Sequence, residues 1–81
     1  MNIGIIGAGN MAGAIARGLV SKGFAADKIM LSDSDESKLA LFREKSFNTG
    51  TNIETAMNSD VLIMAIKPNN YESVLTEIKP Y

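Results

Sequence analysis

Apolar and polar positions alternate in blocks along this chain, and the alternation repeats four times. Each block opens with a short apolar run and continues as a stretch in which apolar residues recur at helical spacing. Short apolar runs predict strands, and the helical spacing predicts helices that bury one face. Strand and helix units in this succession are typical of an α/β protein with a parallel sheet.

The first unit begins with the apolar run Ile3–Ile6. A helix is predicted over residues 10–22, and Gly23 is its expected stop because glycine readily adopts the left-handed conformation that ends helices. One face of this helix carries apolar residues four apart, namely Met11, Ile15 and Leu19.

The second and third units are shorter. Residues 29–31 predict a strand, and the oxygen-bearing side chains after it can cap a helix that runs to about residue 45. Residues 47–51 predict a brief strand, and residues 53–58 a short helix with Asn52 as its possible cap. The capping candidates of the second unit are Ser32, Asp33, Ser34 and Asp35.

The fourth unit begins with residues 61–66, an apolar run that predicts a strand covered on both faces. It closes on Lys67 and Pro68, where proline suits the start of a helix. The helix that follows should bury one face, formed by Tyr71, Val74, Leu75 and Ile78.

The expected fold is therefore a Rossmann-type α/β parallel sheet with alternating helices and strand order 3-2-1-4. This order leaves the apolar fourth strand at an edge, where natural sheets place charge, proline or bulges. We therefore expect residues 1–81 to be the N-terminal part of a dinucleotide-binding domain. A further C-terminal domain would then belong to a longer protein.

Composition narrows the possible chemistry. The chain has no cysteine and no histidine, which excludes metal sites built on thiolate or imidazole ligands, and we expect no metal. Any catalytic chemistry must therefore come from a cofactor or from another segment of the protein. Eight basic residues are balanced by nine acidic ones, without the basic stripe that nucleic acid requires. The apolar strand directly after Met1 and the lack of an 18-residue apolar run predict a cytoplasmic protein without a membrane partner.

The most informative motif joins the first strand to the first helix. In the sequence Gly7, Ala8, Gly9, Asn10, Met11, Ala12, the small residues stand at the positions of a phosphate-binding glycine turn. The first glycine permits the tight turn, the second lets the backbone approach a phosphate, and the third position permits close packing of helix on sheet. This context predicts a pyrophosphate seat, the alternative being a packing turn without ligand.

A second candidate residue follows the second strand. Asp33 stands about 20 positions after the turn, where an acidic residue meets the adenosine ribose in dinucleotide-binding proteins. A solvent-facing turn or cap aspartate is the alternative. A carboxylate here favours NAD over NADP, whereas Lys38, Ser32 and Ser34 would favour a 2′-phosphate, so the cofactor is NAD or NADP.

The glycine turn, together with the segment Ala65, Ile66, Lys67, Pro68, resembles the N-terminal domain of pyrroline-5-carboxylate reductase along the whole chain. The resemblance implies reduction of 1-pyrroline-5-carboxylate to proline with NAD(P)H, in a homo-oligomer formed by a C-terminal domain. The chain departs from the family at Ala12, where many members have glycine, and at Asp33 and Ser34, where several have an Asn-Arg pair.

The resemblance also assigns roles to particular positions. The loop of Ser32, Asp33 and Ser34 would meet the adenosine ribose, Asn52 would lie near that ribose and its 2′-phosphate, and residues 65–68 would lie beside the nicotinamide. Asn52 remains open to interpretation as a cap, Lys67 as an exposed lysine, and Pro68 as a helix start.

No catalytic residue is predicted within this chain, because the substrate pocket would lie elsewhere and hydride would pass directly between cofactor and substrate. We expect the chain alone to be inactive. Two other functions remain open: another oxidoreductase, such as a coenzyme F420-dependent NADP reductase or a hydroxyacid dehydrogenase, and a non-enzymatic nucleotide-binding module.

Overall fold

A computed structural model describes residues 1–67 and 71–80 of this chain. Its four strands form one parallel sheet in the order β3-β2-β1-β4, as predicted. The strands are β1 (Ile3–Ile6), β2 (Ile29–Ser32), β3 (Asn48–Gly50) and β4 (Val61–Met64). The helices are α1 (Asn10–Ser21), α2 (Glu36–Glu44), α3 (Asn52–Met57) and α4 (Tyr71–Ile78).

Strand β1 lies at the centre of the sheet and is buried along its whole length. Ile5 pairs with Leu31 of β2 on one side and with Ile63 of β4 on the other. Because side chains alternate across a strand, Ile3 and Ile5 pack against α1 and α2, whereas Gly4 faces α3. The sheet therefore has helices on both faces, which explains why β1 is buried throughout and carries no polar side chain.

Helix α1 ends as predicted. Gly23 has a φ of +101°, its N–H donates to the Val20 carbonyl at 3.0 Å, and the Phe24 N–H donates to the Leu19 carbonyl at 3.1 Å. These two bonds form the reciprocal pair of a Schellman motif, which satisfies carbonyls that the helix leaves open.

The predicted apolar face of α1 is partly wrong. The residues that α1 buries are Ala12, Gly13 and Ala16, while Ile15 and Leu19 are only partly buried and Met11 is 53% exposed. Small residues let the helix axis approach the sheet closely, and the larger side chains are then pushed to the sides of the contact.

Helix α3 begins one residue earlier than predicted, and its cap is different. Thr51 is the cap, since its hydroxyl accepts from the Glu54 N–H at 3.0 Å and the Glu54 carboxylate accepts from the Thr51 N–H at 2.9 Å. Asn52 is thus the first helical residue and its side chain is free for other contacts.

The fourth unit is less buried than its composition predicted. Strand β4 ends at Met64 and lies at the sheet edge; Val61 is 43% exposed. On α4 only Ile78 of the predicted apolar face is fully buried, and Leu75 is 50% exposed. Apolar composition alone therefore did not determine burial, because a strand is covered on both sides only where neighbours exist. Across residues 1–67 and 71–80, the helices fall short of the length and apolar character that a bilayer crossing needs.

Candidate functional site

The glycine turn lies at the carboxyl end of the central strand, where ligands bind in open parallel sheets. Gly7 has a φ of +112°, and a side chain there would overlap the Ala65 carbonyl oxygen in the loop after β4. Its N–H donates to the Ser32 carbonyl at 2.7 Å. Gly7 therefore permits a turn in which the ends of β1, β2 and β4 meet.

Gly9 presents an open surface at the start of α1. A Cβ at this position would meet no protein atom within 4 Å, and α1 has no side-chain cap. The first hydrogen bond of the helix joins the Gly13 N–H to the Gly9 carbonyl at 3.0 Å. The N–H groups of Asn10, Met11 and Ala12 therefore have no acceptor within the helix. Such donors, with the positive end of the helix dipole, favour an anion.

The remaining turn residues have different surroundings. Ala8 is buried beside the core and Ala12 is fully buried beneath α1, which confirms that the third small position allows close packing. The side chain of Met11 points away from the sheet and is exposed. Only the backbone of Met11 and Ala12 can therefore contribute to an anion site.

Asp33 has a role that the sequence did not reveal. One carboxylate oxygen, Oδ2, accepts from the Ala8 N–H at 2.8 Å, and the other, Oδ1, accepts from the Asp35 N–H at 2.8 Å. The side chain is half-buried, and Asp35 rather than Asp33 caps α2. It joins the glycine turn to the loop between β2 and α2, and both of its oxygens already have a donor.

Asn52 belongs to a hydrogen-bonded chain of three side chains. The buried Ser32 hydroxyl donates to Asn52 Oδ1 at 2.7 Å, and Asn52 Nδ2 donates to Glu77 Oε1 on α4 at 2.9 Å. These bonds fix the orientation of the amide. Sequence reasoning missed Glu77 because nothing in the local pattern marks a contact between α3 and α4.

A cleft of about 550 Å³ brings most of the predicted site together. The predicted residues that line it come from the glycine turn, the loop after β2, the start of α3 and the loop after β4; they are Gly7, Gly9, Ser32, Asp33, Ser34, Asn52, Ala65, Ile66 and Lys67. Four further residues also line it, namely Ile6, Lys38, Ser73 and Val74. Of these, the sequence had pointed only to Lys38, as a possible partner of a 2′-phosphate. Pro68, the last predicted site residue, lies outside the described residues.

The cleft is lined by backbone and polar side-chain groups at the ends of the strands. It extends along the strand ends from the Asp33 loop, past the uncapped start of α1, to the loop after β4. Open space lies at Gly9, the predicted phosphate seat, because a side chain there would meet no protein atom within 4 Å. Ala65 is held beside this seat by its N–H, which donates to the Ile6 carbonyl at 2.8 Å.

Comparison with known proteins agrees with this geometry. A family model described as NADP oxidoreductase, coenzyme F420-dependent, matches residues 2–81. This chain belongs to that family.

The known proteins that this chain resembles include pyrroline-5-carboxylate reductases. The enzyme of Haemophilus influenzae is 35% identical over 77 residues, which is 94% of this chain and 28% of the relative. The structure of the Coxiella burnetii reductase superposes with a TM-score of 0.92 at 37% identity, over 98% of this chain and 30% of that one. The Plasmodium falciparum pyrroline carboxylate reductase, solved with NADP bound, gives a TM-score of 0.83 at 26% identity, over 100% and 29%.

The predicted resemblance to pyrroline-5-carboxylate reductase is thus confirmed, and so is the Rossmann-type fold. The chain spans less than a third of the length of these relatives.

Proposed function

We propose that this chain is the cofactor-binding portion of a pyrroline-5-carboxylate reductase, which reduces 1-pyrroline-5-carboxylate to L-proline with NADPH or NADH. The observation that carries the proposal is the uncapped start of α1 at Gly9, in one cleft with Asn52 and Lys67. In support, the Plasmodium falciparum relative was solved with NADP bound.

Each part of the cleft has a place in this proposal. The N–H groups at the start of α1, in Asn10, Met11 and Ala12, hold the pyrophosphate together with Gly9. The loop of Ser32, Asp33 and Ser34, with Asn52, holds the adenosine ribose. Ala65, Ile66, Lys67 and Pro68 border the nicotinamide ribose, as the family resemblance implies.

The chemistry belongs largely to the cofactor. When bound, NADPH or NADH would supply the hydride for the imino carbon of the substrate, and the substrate nitrogen would carry a proton taken from water. This chain orients the dinucleotide through backbone donors that are already fixed before binding, since Asp33 ties the glycine turn to the loop after β2. The substrate pocket and the homo-oligomer contacts come, in this proposal, from the further length that the relatives have.

The proposal includes the setting of the enzyme. We infer a cytoplasmic protein whose partner is a small imino acid, and whose near balance of acidic and basic residues gives nucleic acid no continuous basic surface.

A second candidate is a coenzyme F420-dependent NADP reductase. The description of the matching family favours it, and it would use the same dinucleotide cleft. The two candidates differ in the molecule that exchanges hydride with the nicotinamide.

The deciding experiment expresses the complete gene product that contains this chain and follows NADPH and NADH oxidation by absorbance. We expect oxidation with 1-pyrroline-5-carboxylate and none with oxidised coenzyme F420. The 81-residue chain should bind NADPH or NADH without turnover. Proline formation by the 81-residue chain alone would contradict its assignment as the cofactor portion, and oxidation with coenzyme F420 alone would favour the second candidate.

A further inference from the structure

The carboxylate of Glu77 ends a series of hydrogen bonds that starts inside the dinucleotide cleft. The Gly7 N–H of the glycine turn donates to the Ser32 carbonyl at 2.7 Å. The Ser32 hydroxyl donates to Asn52 Oδ1 at 2.7 Å, and Asn52 Nδ2 donates to Glu77 Oε1 at 2.9 Å. Gly7, Ser32 and Asn52 line the cleft, whereas Glu77 on α4 does not. Glu77 therefore reaches a molecule in the cleft through Asn52 and not by direct contact.

The two hydrogen-bond partners of the Asn52 amide differ in the orientation that they allow. A serine hydroxyl both donates and accepts, so Ser32, which is fully buried, can pair with either the oxygen or the nitrogen of the amide. An ionised carboxylate only accepts, so Glu77 pairs with the nitrogen alone. Glu77 therefore selects one of the two orientations of the amide, in which Oδ1 faces Ser32 and Nδ2 faces α4.

The selected orientation leaves a hydrogen-bond donor at the cleft. Nδ2 carries two hydrogens. Glu77 accepts one of them, and within residues 1–67 and 71–80 no group accepts the other. Because Asn52 lines the cleft, this second N–H is available to an oxygen atom of a ligand. In the opposite orientation the amide oxygen would take its place, and it would repel an oxygen that carries no hydrogen.

We propose that Glu77 is a positioning residue for the cofactor: its carboxylate fixes the orientation of the Asn52 amide, so that Asn52 donates to an oxygen of the bound dinucleotide. The inference rests on the proposed function, because it requires a dinucleotide in the cleft beside Asn52. It gives α4 a part in cofactor affinity through a side chain outside the cleft. A purely structural role, in which the bond only holds α4 against α3, predicts a different response to substitution.

The test uses the complete gene product that contains this chain and measures its dissociation constants for NADPH and NADH by calorimetry. Glu77→Lys replaces an acceptor by a side chain that only donates, so it selects the opposite orientation of the amide. Glu72→Lys is the matched control, since it makes the same change of charge on α4 at a residue that does not line the cleft. Both substitutions are also combined with Asn52→Ala, and far-UV circular dichroism checks that every variant is folded.

The expected loss is measured with the dinucleotide that the unmodified protein binds more tightly. Glu77→Lys should weaken its binding about tenfold relative to Glu72→Lys, the scale of one hydrogen bond. This direction is opposite to that of a simple charge effect, because added positive charge attracts an anionic dinucleotide. In the Asn52→Ala background Glu77→Lys should change the affinity less than about twofold, since the residue through which it acts is absent.

Glu77→Gln carries the test if Glu77→Lys does not fold. The glutamine amide has nearly the shape of the carboxylate and both accepts and donates, so the two orientations of Asn52 become about equally populated. Cofactor affinity should fall about twofold, because only half of the molecules then present the donor. This loss should also disappear in the Asn52→Ala background.

Two results would overturn the inference and leave the proposed function intact. One is a Glu77→Lys protein that binds both dinucleotides as tightly as Glu72→Lys does. The other is a loss of the same size with and without Asn52→Ala, which would mean that Glu77 acts by holding α4 in place. A third result, no binding of either dinucleotide by the unmodified protein, contradicts the proposed function as well.

Discussion

The helices α1, α2 and α3 each follow a parallel strand, and side chains cap the starts of α2 and α3 but not the start of α1. At α2 the Asp35 carboxylate accepts from the Ser37 N–H at 3.0 Å, and at α3 Thr51 and Glu54 form a reciprocal capping box. At α1 the cap position is Gly9, which has no side chain to offer. Helices α2 and α3 thus bond part of their first-turn N–H groups to their own cap side chains, whereas no side chain caps α1.

This difference explains where the anion seat lies. Every helix amino end has unpaired N–H groups and a partial positive charge, so these properties alone do not select one helix. A side-chain oxygen at the cap occupies the same space that a phosphate would need. Among the helix starts that the structure describes, we therefore propose the anion seat at the uncapped start of α1, at the centre of the sheet and beside Gly7.

The largest expected effect concerns the turn that sets this geometry. Gly7→Ala places a side chain at a φ of +112° and against the Ala65 carbonyl oxygen. We expect the free energy of unfolding to fall by about 3 kcal/mol, since an L residue is strained there. Urea denaturation followed by circular dichroism measures it.

A matched substitution separates this effect from any general effect of alanine. Gly18 lies within α1, and a Cβ there would meet no atom within 4 Å. Gly18→Ala should raise the free energy of unfolding by about 0.5 to 1 kcal/mol because it lowers the entropy of the unfolded chain. A Gly7→Ala chain as stable as Gly18→Ala would show that the strained turn is not required.

The next effect converts the open start of α1 into a capped one. Gly9→Asp introduces a carboxylate at the cap position, in a backbone conformation that any residue adopts (φ −89°). Aspartate caps helices at least as well as glycine, so stability should be kept, whereas NADPH affinity should fall roughly 100-fold because the carboxylate occupies and repels the phosphate seat. Calorimetric titration with NADPH measures the loss.

Gly9→Ala is the corresponding control, since it adds bulk without charge or a capping oxygen. It should weaken NADPH binding by about tenfold, less than Gly9→Asp does. If Gly9→Asp binds NADPH as tightly as the unmodified chain, the pyrophosphate does not bind at the start of α1. The contrast between capped and uncapped helices would then not explain where the anion binds.

The sequence predicted the elements of this fold; the roles of the site residues stay a prediction, although most of these residues line one cleft. The apolar runs, the glycine turn and the stop at Gly23 are each determined by neighbouring residues, and local patterns show such features. Strand order followed from the general behaviour of βα units. The prediction that β4 is covered on both faces failed. The burial of β4 depends on a neighbouring strand, and the local pattern of residues 61–66 does not show whether one is present.

The contacts that were missed are all between distant parts of the chain. Asp33 was placed correctly at the end of β2, yet its bond to the Ala8 N–H depends on how two loops approach each other. The same holds for the contact of Asn52 with Glu77. Thr51 was missed as a cap although its capping box is local, because Asn52 beside it is an equally good capping residue.

The smallest expected effect concerns the cap of α2 and is tested by the pH dependence of the free energy of unfolding. The Ser37 hydroxyl, which donates to the Asp35 carboxylate at 2.5 Å, holds the pKa of Asp35 below its ordinary value of 3.8, and the Ser37 N–H adds to this. A carboxyl with a lower pKa in the folded chain stabilises it above pH 3.8 and loses that contribution as the pH falls through the folded pKa. The free energy of unfolding, measured in urea at about pH 7 and about pH 3, should therefore decrease less in Ser37→Ala than in the unmodified chain. The control is Ser21→Ala, which removes a hydroxyl that donates to the Gly18 carbonyl at the C-terminal end of α1. This variant should show the full decrease in the free energy of unfolding. A decrease in Ser37→Ala as large as that of the unmodified chain would show that the cap of α2 does not depend on the charge of Asp35.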